Sequence, residues 1–180
     1  MIKTTIHLML LAFLIASCSG SGTESEKMAD SSVKTMVKPF SDSLKADTFQ
    51  VRRSSNAAKE TELLFTIRSH EGKEIYREEI KADDLFKNYD ATIDLKKKKN
   101  QVKFLNEELS RFFDEENLME PAITEQEQPD QYVPDRQFYE ELKASQLNGF
   151  IYRLGKENKV YIGWSAKAQK VKIYYHCCKQ

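Results

Sequence analysis

The chain has 180 residues, and its 28 Lys and Arg side chains are balanced by 28 Asp and Glu side chains. This balance excludes a global positive field of the kind that draws a protein to nucleic acid. With 31% charged and 40% hydrophobic residues, the composition is that of a soluble domain, and the length suits one domain of about 130 residues with additional segments.

The first residues combine a positive charge with a short apolar run. Lys3 precedes the run Ile6–Ala16, and small residues follow it. As a helix, this run covers roughly 17 Å, which is short of a hydrocarbon core of about 30 Å. The pattern therefore predicts a secretory signal peptide over residues 1–17 rather than a spanning or a buried helix.

The end of this segment, Ile15-Ala16-Ser17-Cys18, resembles the lipobox of bacterial lipoproteins. The resemblance implies cleavage between Ser17 and Cys18, attachment of diacylglycerol to the Cys18 thiol, and acylation of the new amino group. An ordinary signal peptide with a chance cysteine is the alternative. Ser19 follows the cysteine where inner-membrane lipoproteins commonly carry Asp, which implies an outer-membrane lipoprotein facing the periplasm or the cell surface. The membrane is then a partner through the lipid on Cys18.

The chain after Cys18 divides by composition. Residues 18–47 are rich in Ser, Thr, Lys, Asp and Glu and show no sustained period, which predicts a flexible linker. Residues 48–180 carry periodic apolar patterns and are predicted to form a single domain.

The first half of this domain predicts strands and two helices. Apolar and polar residues alternate over residues 48–53, which predicts a short strand. The pattern of residues 63–80 predicts a β-hairpin around the turn Ser69–Gly72. Asp83 is placed to cap a short helix that ends near Tyr89. Apolar residues three and four apart predict a second helix over residues 101–117.

Two charged segments flank that second helix. The lysines Lys96–Lys99 suit either a solvated helix start or contact with anionic lipid headgroups. The acidic, proline-containing stretch 114–135 predicts a long loop. Clustered oxygens over 114–130 raise the alternative of calcium, but the spacing of a calcium-binding EF-hand loop is missing.

The last part of the chain predicts a helix followed by three strands. The helix starts near Pro134, turns Phe138 and Leu142 to one side, and closes at Asn148-Gly149. Tight turns separate strands at 150–154, 159–165 and 170–178. The expected class is α+β: one antiparallel sheet of about five strands, with two or three helices packed on one face.

The overall plan resembles small Gram-negative envelope lipoproteins of unknown function, which have a lipobox, a polar tether, a "dGkeiy" hairpin, intervening helices and a terminal meander. The matching hairpin stretch is Glu71–Tyr76. The resemblance implies architecture and location, and carries no catalytic motif.

The C-terminal His176-Cys177-Cys178 raises three alternatives. Two adjacent cysteines on a strand point to opposite faces, so they do not converge on one metal ion. In an oxidising compartment the pair suits a vicinal or intermolecular disulfide, and hence a redox role. The remaining interpretation is a plain strand end. Alternation predicts a buried and an open face: Val171, Ile173, Tyr175 and Cys177 on the first, Lys172, Tyr174, His176 and Cys178 on the second.

Aromatic residues on the terminal strands suit either cross-strand packing or a ligand platform: Tyr152, Tyr161, Trp164 and Tyr174. No signature of a hydrolase, a nucleotide-binding loop or a metalloprotease is present in the sequence, so no catalytic residue, metal or cofactor is predicted. The sequence therefore favours a non-enzymatic, lipid-anchored binding or accessory domain whose partner is an envelope protein, peptidoglycan or another glycan. The alternative is a small envelope hydrolase, or a hydrolase inhibitor, with its site between the sheet and the acidic loop.

Overall fold

The structure is a computed structural model that describes residues 33–55, 61–87, 89 and 93–177. Two antiparallel sheets of four strands are present in this part of the chain. The first is a meander of β1 (Val33–Pro39), β2 (Ala46–Ser55), β3 (Thr61–Arg68) and β4 (Glu74–Lys81). The second is a meander of β5 (Leu118–Met119), β6 (Gly149–Arg153), β7 (Lys159–Ser165) and β8 (Lys170–Cys177). The α-helices described are α1 (Ala82–Phe86), α2 (Lys98–Arg111) and α3 (Arg136–Ser145).

The mixed helix and strand content confirms the predicted class, but the expectation of one sheet of about five strands is wrong. The predicted strand at 48–53 and the hairpin form one sheet together with β1, and the terminal meander forms a separate sheet together with β5. These sheets meet through their apolar faces in a shared core instead of pairing edge to edge.

Phenylalanine rings form the centre of this shared core. The ring of Phe65 on β3 lies 5.3 Å from that of Phe150 on β6 and 5.0 Å from that of Phe112, which follows α2. At the edge of the core, the hydroxyls of Tyr76 and Tyr152 lie 2.8 Å apart and join the two sheets. Burial of such large rings is the main force that holds one sheet against the other.

Strand β1 lies inside the stretch that the sequence assigns to a linker. It pairs with β2 along its whole length, the next residue, Phe40, is fully buried, and Asp47 is fully buried as well. The boundary predicted at residue 48 is therefore too late, because residues 33–47 belong to the fold. Residues 18–32 lie outside the described part of the chain.

The sequence predicts that the helices pack on one common face of a sheet, and this prediction is wrong. The buried side of α2 belongs to the shared core: Phe104, Leu105 and Leu109. The buried side of α3 belongs to a second cluster, which includes Tyr174: Phe138, Tyr139 and Leu142. Helix α3 thus covers the opposite face of the second sheet. Among the helices of the described residues, none has the length and apolar character needed to cross a bilayer.

The helix ends match the sequence signals unevenly. Helix α3 follows Pro134 as predicted, and the Asp135 carboxylate caps it by accepting the Phe138 N–H at 3.0 Å. Helix α1 instead starts after Lys81, so Asp83 lies within its first turn and is not the cap. Helix α2 runs from Lys98 and ends six residues before the predicted 117.

A bulge in β8 changes which side chains face the core. Tyr161 pairs with Tyr175 and Ile162 with Ile173, so Tyr174 is an extra residue in β8. Tyr174 is 3% exposed whereas Ile173 is 38% exposed, and the faces predicted by strict alternation are therefore wrong. Tyr174 and Tyr175 both turn toward α3, while Val171 packs against the shared core.

Candidate functional site

A cleft of about 570 Å³ opens on the face of the second sheet that α3 covers in part. It lies between the sheet, the first turn of α3 and the acidic loop 120–130. We call it the tyrosine cleft, after four of the side chains that line it: Tyr139, Tyr161, Tyr174 and Tyr175. Three carboxylates line it as well: Glu120, Glu127 and Asp130.

The acidic loop forms one wall because backbone contacts hold it against the sheet. The Ala122 N–H donates to the Leu147 carbonyl at 2.8 Å, and Ile123 beside it is 1% exposed. Further along, the His176 N–H donates to the Tyr132 carbonyl at 3.2 Å. The loop is thus fixed at both ends of the cleft.

The floor of the cleft depends on close packing around Tyr174. Its buried hydroxyl donates to the Ala122 carbonyl at 3.1 Å. A Cβ at Gly149 would lie 2.8 Å from that hydroxyl and 2.9 Å from the Ala122 Cβ, so only glycine leaves the space that both groups occupy. At Gly163, a Cβ would overlap the side chain of Leu142 on α3. The missing side chains therefore let both the loop and the helix approach the sheet.

The three carboxylates have different partners. Glu120 pairs with Lys38 of β1 at 3.1 Å. Glu127 accepts the Thr124 hydroxyl at 3.0 Å. Asp130 accepts the Tyr175 hydroxyl at 3.0 Å.

Burial raises the pKa of all four cleft tyrosines. For Tyr175 it reaches about 12, through burial first and then the hydrogen bond with Asp130. For Tyr139, burial and then the charges of Glu127, Glu140 and Asp130 raise the pKa. The four phenols therefore stay neutral across the physiological range and offer ring surface and hydroxyl groups to a ligand.

The predicted aromatic platform divides between two faces. Tyr161 and Tyr174 line the cleft together, with ring centroids 5.9 Å apart. Tyr152 is 4% exposed and its hydroxyl is hydrogen-bonded to that of Tyr76 in the shared core. Trp164 packs against the same core. Adjacent positions on a strand point to opposite faces, so these four residues do not form one surface.

His176 and Cys177 do not line the cleft. Cys177 is disulfide-bonded, and the two other cysteines of the chain, Cys18 and Cys178, lie outside the described residues. The His176 ring lies 2.7 Å from the Asn158 side-chain oxygen. Within residues 33–55, 61–87, 89 and 93–177, no group of three or more His, Cys, Asp and Glu side chains is arranged to hold a metal ion.

The lysine run that the sequence offers as a candidate lipid contact lies on the surface. Lys96–Lys99 are all exposed at the start of α2, where Lys97 pairs with Asp94 at 3.0 Å. The predicted signal cleavage site between Ser17 and Cys18, and the predicted lipidation site Cys18, lie outside the described residues.

A histidine and a carboxylate also meet in the first sheet. Asp47 accepts the backbone N–H groups of Ser41 at 2.6 Å and His70 at 2.8 Å, while the His70 ring Nδ1 lies 3.8 Å away. This distance is too long for a hydrogen bond. Asp47 thus joins two turns and does not orient the ring for catalysis.

Sequence reasoning missed five of the cleft side chains: Tyr139, Tyr175, Glu120, Glu127 and Asp130. The acidic loop was recognised as a segment, but which of its acids turn toward the sheet depends on tertiary contacts. Tyr175 was assigned to the buried face because the bulge at Tyr174 leaves no mark in the sequence.

Comparison of the chain with protein-family models, with curated proteins and with solved structures gives no significant match, so its site is interpreted from its own geometry.

Proposed function

We propose that this chain is a lipid-anchored protein of the cell envelope whose domain binds a ligand in the tyrosine cleft and does not transform it. The observation that carries the binding role is the cleft itself. Its volume of about 570 Å³ falls in the range of ligand sites, roughly 300–1,000 Å³, and its wall combines aromatic rings with a few polar groups.

The envelope location rests on the sequence of the first twenty residues. The short apolar run and the Ile15-Ala16-Ser17-Cys18 motif support cleavage before Cys18 and its lipidation. Several acyl chains on one residue anchor a protein stably, whereas one chain alone binds marginally. The outer membrane is the proposed site, because Ser19 follows the cysteine.

A Cys18→Ala variant tests the anchor. We expect it to lose labelling by radioactive fatty acid and to appear in the soluble fraction or as an uncleaved precursor. A Ser19→Ala variant serves as the control and should still be labelled. Continued labelling of Cys18→Ala would contradict lipidation at Cys18. The proposed binding role of the cleft would not be affected by that result.

The binding role is tested by nuclear magnetic resonance on protein with ¹³C-labelled tyrosine rings. Small molecules extracted from the envelope of the producing cells are added in fractions. We expect one fraction to shift the ring signals of Tyr161 and Tyr175 while the core signals of Tyr76 and Tyr152 stay fixed. In a Tyr161→Ala variant the remaining cleft signals should no longer respond.

The matched control for this variant is Ile173→Ala. Ile173 is half-exposed on the other face of the same sheet, so its truncation removes a side chain without touching the cleft. A response of the core tyrosines alone, or an equal loss in both variants, would contradict a ligand site in the tyrosine cleft.

A hydrolase or a hydrolase inhibitor is the second candidate, because the cleft is concave and lies between the sheet and the acidic loop. The three carboxylates provide groups for acid–base chemistry. Binding is preferred because each carboxylate already has a partner and no imidazole of the described residues lines the cleft. Catalytic turnover of a chromogenic glycoside or ester that Glu127→Gln abolishes would favour the hydrolase.

A further inference from the structure

Two carboxylates in the tyrosine cleft form no direct ion pair within the described residues. The Lys143 ammonium lies beside Glu127, but it donates to the backbone carbonyl of that residue at 2.6 Å and not to its carboxylate. Glu127 and Asp130 accept hydrogen bonds from neutral groups: the hydroxyls of Thr124 and Tyr175 and the backbone N–H of Tyr132. Neither forms an ion pair with any cationic side chain in the described part of the chain, whereas Glu120 is paired with Lys38. No Lys or Arg side chain of the described residues lines the cleft.

These two charges act on the same part of the cleft. Both Glu127 and Asp130 raise the pKa of Tyr139, after the larger effect of its burial. Asp130 also contacts the Tyr175 hydroxyl, and Tyr175 lies against Tyr161 with ring centroids 5.1 Å apart. Although both residues are exposed, Asp130 contacts a cleft tyrosine directly, and both charges act on Tyr139.

We infer that the tyrosine cleft takes an organic cation, a primary ammonium or guanidinium group, carried by a free amine or by the side chain of a peptide. This inference rests on the proposed binding function and names the ligand class for the same cleft. A positive group would satisfy Glu127 and Asp130 as they lose water, and tyrosine faces attract cations through the ring quadrupole.

A neutral saccharide is the main competitor, since sugars also stack on tyrosine rings. Its hydroxyls would leave the two charges without a counter-charge when the ligand displaces water. Desolvation of an unpaired charge is costly, so the pair of carboxylates favours the cation. An anionic ligand is disfavoured by direct repulsion.

The test is isothermal titration of the mature, lipidated chain in detergent micelles with defined probes. The cationic probe is Nα-acetyl-lysine-N-methylamide, and its Nζ-acetylated form is a neutral counterpart with the same backbone and methylene chain. The other probes are the corresponding arginine compound, 1,5-diaminopentane, a blocked Ala-Lys-Ala peptide and a neutral disaccharide. Diaminopentane represents a free amine, and a blocked Ala-Lys-Ala peptide represents a side chain, so the two sources are distinguished.

We expect the lysine probe to bind at least about tenfold more tightly than its acetylated form, as charge-assisted hydrogen bonds require. Its affinity should fall with added salt and should fall by about tenfold or more in a Glu127→Gln/Asp130→Asn double variant. The control is Glu125→Gln on the same loop, which is exposed and does not line the cleft; it should bind as the wild type does.

Two results would overturn the inference. In the first, the acetylated probe or the disaccharide binds as tightly as the lysine probe and shifts the ¹³C signals of Tyr161 and Tyr175. The cleft would then bind a ligand without selecting a positive charge, and the proposed function would stand. If no probe binds and no envelope fraction shifts those signals, the proposed function fails as well.

Discussion

The hydroxyl of Tyr175 on β8 donates to the carboxylate of Asp130 in the acidic loop at a distance of 3.0 Å. This bond joins two segments 45 residues apart in sequence and closes one side of the tyrosine cleft. Burial and then this bond raise the pKa of Tyr175 to about 12.

An Asp130→Asn variant tests that relationship by titration. Since the neutral form of Tyr175 is favoured in the folded state, its contribution to stability is present below pH 10 and is lost as pH rises toward about 12. Without the charge of Asp130 we expect the pKa of Tyr175 to fall, while burial still holds it above 10. The measurement is the ¹³C chemical shift of the labelled Tyr175 ring as a function of pH.

Tyr76 is the internal control for this titration, because burial raises its pKa to about 12 without any contact with Asp130. Its signal should titrate identically in both proteins. An unchanged pKa for Tyr175 in the variant would show that the hydrogen bond does not form in solution.

The approach of α3 to the second sheet depends on Gly163. A Gly163→Ala variant places a Cβ into the Leu142 side chain, and overpacking of this kind costs about 1–3 kcal/mol. In a Leu142→Ala background the clash disappears, so the same substitution should cost much less. Urea unfolding of the wild type, the two single variants and the double variant gives the coupling free energy between the two positions, which we expect at about 0.5–3 kcal/mol. Strictly additive losses would contradict the packing described.

The N-terminal boundary predicts two different outcomes of truncation. A chain starting at Ser32 keeps β1, Phe40 and Asp47 and should unfold cooperatively with little loss of stability. A chain starting at Thr48 loses the buried Phe40 ring, which lies 5.2 Å from that of Phe49, and large core truncations cost about 3–5 kcal/mol. Equal midpoints of denaturation would show that β1 contributes nothing to the fold.

The strands with regular alternation could be predicted from sequence, and those without it could not. The hairpin and the three C-terminal strands carry turn residues and alternating apolar positions, and each was found close to its predicted place. In β1 the two valines face outward and Met36 is the apolar residue on the inner face, since Met36 pairs with the buried Phe49. Its pattern therefore resembles a polar linker.

The site could be predicted only in part, because most of it depends on contacts between distant segments and not on local alternation. Tyr161 and Tyr174 were recognised as aromatic candidates, but strand register places Tyr152 and Trp164 on the other face. Asp130 and Glu127 become part of a site only because Ala122 and Ile123 fix the loop against the sheet. Contacts between segments so distant in sequence have no local signal.

The disulfide at Cys177 yields a prediction about its partner. If Cys18 carries a lipid, its thiol is unavailable, and Cys178 remains as the other cysteine of the chain. We expect a Cys18→Ala protein to keep its disulfide, and reduction to add the mass of a pair of hydrogen atoms. A Cys178→Ser protein should show no such gain. The reverse pattern would place the bridge at Cys18 and contradict lipidation.

The most direct test of the tyrosine cleft as a ligand site uses a photoreactive amino acid, benzoylphenylalanine, in place of Tyr161 or of Ile173. Membranes from cells producing each full-length protein are irradiated with and without Nα-acetyl-lysine-N-methylamide, and the intact mass of each protein is measured. We predict a discrete adduct at position 161 that the lysine compound suppresses, and no such adduct at position 173. Identical adducts at both positions, or no adduct at 161, would contradict the account.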